Sequence, residues 1–171
     1  MSRSQAENRE CALERLMSAY GDHVMRTCRL FLQSGSLAED ASQETFIRAW
    51  KAIDTLNEGE TEKAWLLKIA ANTCRSMMKS RAYRNMERIT AKEDAPEAGM
   101  YDQFPDHSVY EAVIALPDKY RLPVVLCYYQ GLSTQEAAIA LHLPGATVRT
   151  RLARARARLK QELKGWYFDE E

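Results

Sequence analysis

The sequence predicts an all-α protein in which two small helical domains are joined by an acidic, flexible linker. Apolar residues recur at the spacing of amphipathic helices, as in Phe46, Ala49, Trp50 and Ile53. The sustained two-residue alternation of β-strands does not occur. Residues 92–106 contain five acidic residues, two prolines and one glycine, so they cannot bury an apolar face and are predicted to be the linker. The domains then span residues 1–91 and 107–171.

The N-terminal domain is predicted to contain several short helices. The first carries an apolar stripe made by Leu13, Leu16, Met17 and Tyr20. Gly21 and Gly35 are expected to interrupt the early helices. Asn57–Glu60 reads as a turn, and Thr61 is the expected N-cap of the helix that follows it.

Charge is segregated along a chain whose formal net charge is zero. Residues 1–91 hold 14 basic and 12 acidic residues, and the linker holds one lysine against five acids. Residues 107–164 hold nine basic and four acidic residues, and the tail adds three acids. A basic block after an acidic spacer indicates a C-terminal module that binds a polyanion.

Several classes of protein are disfavoured by composition. The longest apolar runs fall short of the ~20 residues that cross a bilayer, and the polar N-terminus lacks the apolar core of a signal peptide, so we expect a cytoplasmic protein without membrane insertion. The four scattered cysteines form no CxxC pair and are expected to be reduced thiols in the core. We expect no cofactor and no metal. The three histidines lie far from any nucleophile or carboxylate pair, which argues against an enzyme.

The segment "GLSTQEAAIALHLPGATVRTRL" predicts a helix-turn-helix. Ser133 and Glu136 have the spacing of a capping box, and Ala137, Ala138 and Leu141 form a face of small apolar residues. The sequence His142–Gly145 ends this helix and begins another. Helix pairs that bind nothing share this pattern, so the second helix has to decide its function.

That second helix has one apolar stripe and one strip of small residues bordered by arginines. At 100° per residue, Val148, Leu152, Ala155 and Leu159 share the stripe. The opposite face carries Ala146, Thr147, Thr150, Ala153 and Arg154. Arg149 and Arg156 flank it on one side, and Arg151 and Arg158 flank it on the other. This arrangement favours a helix lying in the DNA major groove between two walls of phosphates, with Thr150 and Arg154 within reach of base edges.

Two further helical faces carry polar residues suited to binding. In the helix around residues 38–53, Ser42, Thr45, Phe46, Ala49 and Ile53 are expected to face the core. The opposite side places Ile47 among Asp40, Gln43, Glu44, Arg48 and Lys51, which favours a protein interface. In the helix after Thr61, the expected core side is Leu66, Ala70, Thr73, Cys74 and Met77. Lys68, Asn72, Arg75 and Lys79 share the other side, which suits a DNA strand, while Trp65 is expected in the core.

These residues resemble the extracytoplasmic-function (ECF) sigma factors of the sigma-70 family. "YYQGLSTQEAAIALHLPGATVRTRLARARARLK" is similar to the helix-turn-helix of their region 4. "AEDASQETFIRAW" and "AWLLKIAANTC" are similar to two helices of their region 2. The order of the three motifs and the position of the linker also agree. Ala146, Ala138 and Thr150 depart from the commoner glycine, isoleucine and serine of the family, and none of them removes a charge or a cap.

The resemblance implies a dissociable RNA polymerase subunit without catalytic activity. Region 2 would bind the polymerase core and melt the promoter −10 element, and region 4 would read the −35 element. An anti-sigma factor is a further expected partner. The polymerase contacts would be Asp40, Gln43, Glu44, Ile47 and Arg48. The −10 contacts would be Lys68, Asn72, Arg75 and Lys79. The −35 contacts would be Thr147, Arg149, Thr150, Arg151, Ala153, Arg154 and Arg158.

One alternative remains open from the residues alone. A two-module transcriptional regulator would join the same helix-turn-helix to a helical dimerisation or sensor domain. Such a regulator would bind operator DNA alone as a dimer, whereas a sigma factor would bind promoters well only together with core polymerase. An anti-sigma-like adaptor would not need the arginine-bordered helix.

Overall fold

The computed structural model describes residues 3–56, 61–80, 85 and 107–167, and all the regular structure in these ranges is helical. The chain divides into two compact units, Met1–Lys92 and Glu93–Glu171. The prediction of an all-α chain with two helical modules is confirmed. The predicted linker, residues 92–106, lies outside the described residues, as do the turn at 57–60 and Arg81, Arg84 and Arg88.

The first unit is built from α1 (Arg3–Leu32), α2 (Gly35–Ala52) and α3 (Glu62–Met78), each of which packs on the other two. A short 3₁₀ turn, Ile53–Thr55, follows α2. The junction between α1 and α2 is tight because Gln33 takes a left-handed conformation (φ 53°) and Ser34 caps α2 by accepting a hydrogen bond from the Leu37 amide. Thr61 caps α3 in the same way through the Ala64 amide, as predicted.

Small and β-branched residues let these three helices approach closely. Ala38, Ala41 and Ala49 are fully buried on α2. The core threonines are satisfied within their own helices, since Thr45 donates to the Ala41 carbonyl at 2.7 Å and Thr73 donates to the Ile69 carbonyl at 2.9 Å. Polar side chains therefore enter this core without leaving an unpaired hydroxyl.

Several sequence predictions for the first unit are wrong. Gly21 lies inside the continuous helix α1 and does not interrupt it, because a single glycine weakens a helix by only about 1 kcal/mol and the packing of α1 on two partners outweighs that loss. Met17 is 47% exposed and Trp50 is 36% exposed, so neither belongs to the core. Cys11 is exposed as well, since it lies on the outer side of α1.

The buried thiols behave as predicted. Cys28 and Cys74 are both fully buried, and they form a hydrogen bond between α1 and α3. That hydrogen bond and the burial raise the pKa of the Cys74 thiol well above its ordinary value. Both side chains therefore act as small core residues and not as nucleophiles at neutral pH.

Two arginines of α1 tie the unit together at its surface. Arg15 makes a bidentate ion pair with Glu62 at the start of α3, with N–O distances of 2.7 and 2.6 Å. These hydrogen bonds hold the pKa of the Glu62 carboxyl below its usual value. Arg9 stacks on the Trp50 ring at 5.2 Å and donates to the Trp50 carbonyl at the end of α2. The exposed part of Trp50 is therefore partly covered by a cation.

The second unit contains α4 (His107–Ile114), α5 (Asp118–Val124), α6 (Thr134–Leu141) and α7 (Gly145–Tyr167). A π-helical turn, Val125–Tyr129, continues α5, with the Gln130 amide bonded to the Val125 carbonyl at 3.0 Å. Pro123 lies inside α5 near this widened turn. The helix α7 packs on α4, α5 and α6, and so forms the centre of the unit.

Candidate nucleic-acid and polymerase interfaces

The helix-turn-helix consists of α6, the turn 142–144 and α7. The predicted capping box is present, since the Ser133 hydroxyl accepts from the Glu136 amide at 3.1 Å and the Ser133 amide donates to the Glu136 carboxylate at 2.7 Å. His142 ends α6 in a left-handed conformation (φ 52°) and is exposed, which makes it a structural turn residue. This sharp reversal directs the chain into α7.

The rotation of α7 agrees with the sequence analysis. Val148, Leu152 and Ala155 are buried, and Leu159 is half-buried, so the predicted stripe faces the core. The residues predicted to contact the −35 element lie around the rest of the helix. Arg149, Thr150, Ala153, Arg154 and Arg158 are exposed, and Thr147 and Arg151 are half-buried.

The small strip on α7 presents a hydroxyl as well as guanidinium groups. The Thr150 hydroxyl donates to the Ala146 carbonyl at 3.0 Å, so its oxygen lone pairs remain available as acceptors. Arg149 folds back towards the beginning of α7, where its guanidinium lies 3.5 Å from the position that a Cβ on Gly145 would occupy. An exposed strip of small residues bordered by cations is what an approach to DNA base edges requires.

The two flanks of α7 are supported by tyrosines that the sequence analysis did not single out. On one flank Arg156 donates to the Tyr128 hydroxyl at 2.6 Å. On the other flank the Arg158 guanidinium lies 4.9 Å from the centre of the Tyr120 ring. Periodicity within α7 could not reveal either contact, because both tyrosines belong to the preceding helical segment and are brought to α7 by packing.

The predicted polymerase-binding residues share one outward face of α2. Asp40, Gln43 and Arg48 are exposed, and Glu44 is half-buried. Ile47 is 49% exposed in the middle of them, while its neighbour Phe46 is buried on the opposite side. Glu44 and Arg48 form an ion pair at 2.7 Å across one helical turn. The face therefore combines an exposed β-branched apolar side chain with ordered charges, as protein interfaces do.

The predicted −10 residues on α3 are less exposed than expected. Lys79 is exposed, but Lys68, Asn72 and Arg75 are half-buried. The first half of α3 is buried around most of its circumference, because Ala64 and Trp65 pack inward on the side that also carries Lys68. The expectation of an open polar face along the whole helix is wrong, and only the last turns of α3 present it to solvent. The core placement of Trp65 is confirmed.

Comparisons with known proteins agree with the two-unit organisation. The family model "Sigma-70 region 2" matches residues 16–91, and "Sigma-70, region 4" matches residues 106–159. The ECF RNA polymerase sigma factor SigW of Bacillus subtilis is 29% identical over 163 residues, covering 87% of each chain. The chain belongs to the ECF sigma factors. SigE of Mycolicibacterium smegmatis is 31% identical over 157 residues, which cover 88% of this chain and 61% of that relative.

The fold has solved counterparts in the same family. The sigma factor RpoE from Bartonella quintana, crystallised with the anti-sigma factor NepR, superposes with a TM-score of 0.71 at 25% identity, covering 88% of this sigma factor and 96% of RpoE. CnrH, solved with the cytosolic domain of CnrY, gives a TM-score of 0.65 at 26% identity, covering 94% and 93% of the two chains.

Membership in this family makes the chain a factor for promoter-specific transcription initiation with RNA polymerase. A stand-alone regulator with a dimerisation domain is not favoured. In the described ranges no helix is long and apolar enough to cross a membrane.

The rotation of α2 makes opposite predictions for two adjacent residues. Phe46→Ala should lower the free energy of unfolding of the first unit by about 3–5 kcal/mol, because it empties a core position. Ile47→Ala should change it by less than about 0.5 kcal/mol, because the side chain lies at the surface. Urea unfolding followed by circular dichroism measures both. Equal losses for the two variants would show that α2 is rotated differently.

Proposed function

We propose that the sigma factor reads the −35 element with α7, and the observation that supports this most directly is the exposed small strip of α7 between its arginines. Thr150 and Arg154 would reach base edges in the major groove, and Thr147 and Ala153 would allow the helix to approach closely. Arg149, Arg151 and Arg158 would contact the phosphates on either side of the groove. Base identity would then depend on few side chains, and affinity on many.

We further propose that the outward face of α2 binds the polymerase core. Ile47 would supply the apolar contact, and Asp40, Gln43, Glu44 and Arg48 would supply polar contacts around it. The ion pair between Glu44 and Arg48 supports this role, because side chains that are already ordered lose less conformational entropy on binding.

The −10 element would be held by the last turns of α3. Lys79 and Arg75 would attract phosphates of the non-template strand, and Asn72 would offer a paired donor and acceptor to an unstacked base. Lys68 lies furthest from the exposed end of α3 and would contribute mainly through its charge.

These roles assign functions to the two parts of the chain. Residues 1–91 would serve polymerase binding and −10 recognition, residues 107–171 would serve −35 recognition, and the acidic segment 92–106 would join them. The sigma factor would act in the cytoplasm, where RNA polymerase works, and would supply no catalytic group itself. The two solved relatives in complexes with anti-sigma factors support a partner of that kind, which would compete by covering exposed apolar residues such as Ile47 and Ile139.

Polymerase binding can be tested at one side chain. Ile47→Asp should reduce capture by purified core polymerase at least tenfold, because it places a carboxylate where an apolar contact is proposed. Helical content and melting temperature should remain close to those of the native protein. Ser18→Asp, a substitution at an exposed position of α1, is the control and should leave capture unchanged. Normal capture of the Ile47→Asp variant would exclude this face.

Base reading and phosphate binding can be separated on α7. Arg154→Ala should remove about 1–3 kcal/mol of discrimination at one or two −35 positions, measured as binding of holoenzyme to a library of −35 variants. Arg158→Ala should instead weaken binding to all variants about equally and reduce the salt dependence. An unchanged base preference in the Arg154→Ala holoenzyme would contradict the assignment of faces.

Strand opening should depend on the end of α3. Lys79→Ala and Asn72→Ala should lower the permanganate reactivity of −10 thymines, while closed-complex binding through the −35 element stays nearly normal. A promoter with a pre-melted −10 bubble should restore part of the defect, because the contact then only has to hold an open strand. Since Asn72 is half-buried, the melting temperature of its variant has to be compared with that of Lys79→Ala. Normal opening by both variants would place the melted strand elsewhere.

A further inference from the structure

Three cations of the second unit converge on one buried aromatic ring. Tyr120, at the start of α5, is only 5% exposed. The Lys119 ammonium lies 5.0 Å from the ring centre, and the Arg158 guanidinium lies 4.9 Å from it. The Tyr120 hydroxyl accepts a hydrogen bond from Arg154. One ring of α5 therefore contacts two guanidinium groups of α7 and the ammonium beside it.

The tyrosine responds electrostatically to these neighbours. Burial raises the pKa of the Tyr120 hydroxyl, but the hydrogen bond from Arg154 and the charges of Lys119, Arg158 and Arg154 outweigh it and lower the pKa overall. Within the described ranges, no salt bridge joins Lys119, Arg154 or Arg158 to a carboxylate. The cluster is therefore a concentration of positive charge without an internal counterion.

The start of α5 is held firmly in place. Arg121 is buried and donates to the Leu116 carbonyl at 2.8 Å and to the Asp118 carboxylate at 2.6 Å. Asp118 is the nearest acidic residue in sequence to Lys119, and its carboxylate is already bound by Arg121. The position of Lys119 and Tyr120 relative to α7 is thus set by buried hydrogen bonds as well as by apolar packing.

We propose that Lys119 and Arg158 hold one backbone phosphate beside the −35 element and that Tyr120 is a positioning residue which orients Arg154 and Arg158 towards DNA. This proposal rests on −35 recognition by α7. A phosphodiester fits the cluster because it carries a single negative charge and accepts hydrogen bonds from several directions. Lys119 extends the contact beyond the recognition helix, since it approaches from α5. Tyr120 reduces the conformational freedom that the two arginines would lose on binding.

The salt dependence of DNA binding tests the phosphate contact. The probe is a duplex carrying the −35 sequence that the native holoenzyme selects from a random library, and the full-length chain is assayed in holoenzyme. Lys119→Ala should reduce the slope of log K against log[salt] by about 0.9, the value for one lost phosphate contact, without altering base preference. Lys164→Ala is the matched control, an exposed lysine near the end of α7, and should leave the slope unchanged.

A neutral methylphosphonate placed at single positions of the duplex locates the contact. At one position it should weaken the native holoenzyme several-fold while leaving the Lys119→Ala holoenzyme unaffected, because that variant has already lost the partner of the phosphate. Tyr120→Phe keeps the ring and removes only the hydroxyl. It should relax base preference at the positions read by Arg154 and leave the salt slope unchanged, a result that a purely structural tyrosine would not give.

The outcomes separate this proposal from the function on which it rests. A native holoenzyme without any −35 preference would overturn both. A native holoenzyme with normal preference, together with a Lys119→Ala variant of unchanged slope and unchanged methylphosphonate pattern, would overturn the clamp alone. Loss of binding to an anti-sigma factor in Lys119→Ala, with DNA binding intact, would assign the cluster to an acidic protein surface and would also overturn it.

Discussion

Burial of one apolar stripe on α7 is the constraint on which the rest of the second unit depends. Val148, Leu152 and Ala155 have to face α4, α5 and α6, and this requirement fixes the rotation of the helix about its axis. Once that rotation is fixed, the small strip and its arginines must face outward. A basic helix without such a stripe could present any side to DNA, so core packing sets the orientation on which specific recognition would depend.

The first unit follows the same logic with smaller residues. Ala38, Ala41 and Ala49 bring α2 close to its neighbours, and their burial turns Ile47 to the outside. An exposed isoleucine contributes nothing to this core, and its surroundings are charged. The position of Ile47 is therefore a consequence of the alanine face on the other side of the helix and needs no special backbone feature.

Arginine has several structural roles in this chain besides its charge. Arg9 and Arg15 connect α1 to the end of α2 and to the start of α3. Arg121 is buried and organises the start of α5. Arg156 and Arg158 rest on tyrosines at the two sides of α7. A planar guanidinium can stack and donate in several directions at once, so it serves both as a fixed brace and as a preorganised ligand for anions.

The sequence by itself determined the all-α class, the helix-turn-helix with its capping box, and the faces of α2 and α7. These features depend on local spacing, which a single helix carries in its own residues. The tertiary structure alone decided that Gly21 continues a helix, that the beginning of α3 is enclosed on nearly all sides, and that Tyr120 and Tyr128 support the arginines of α7. The physical reason is that helical periodicity describes one helix with one partner. Where a helix packs against two others, or where a side chain is met by a residue far away in sequence, burial depends on distances that local spacing does not contain.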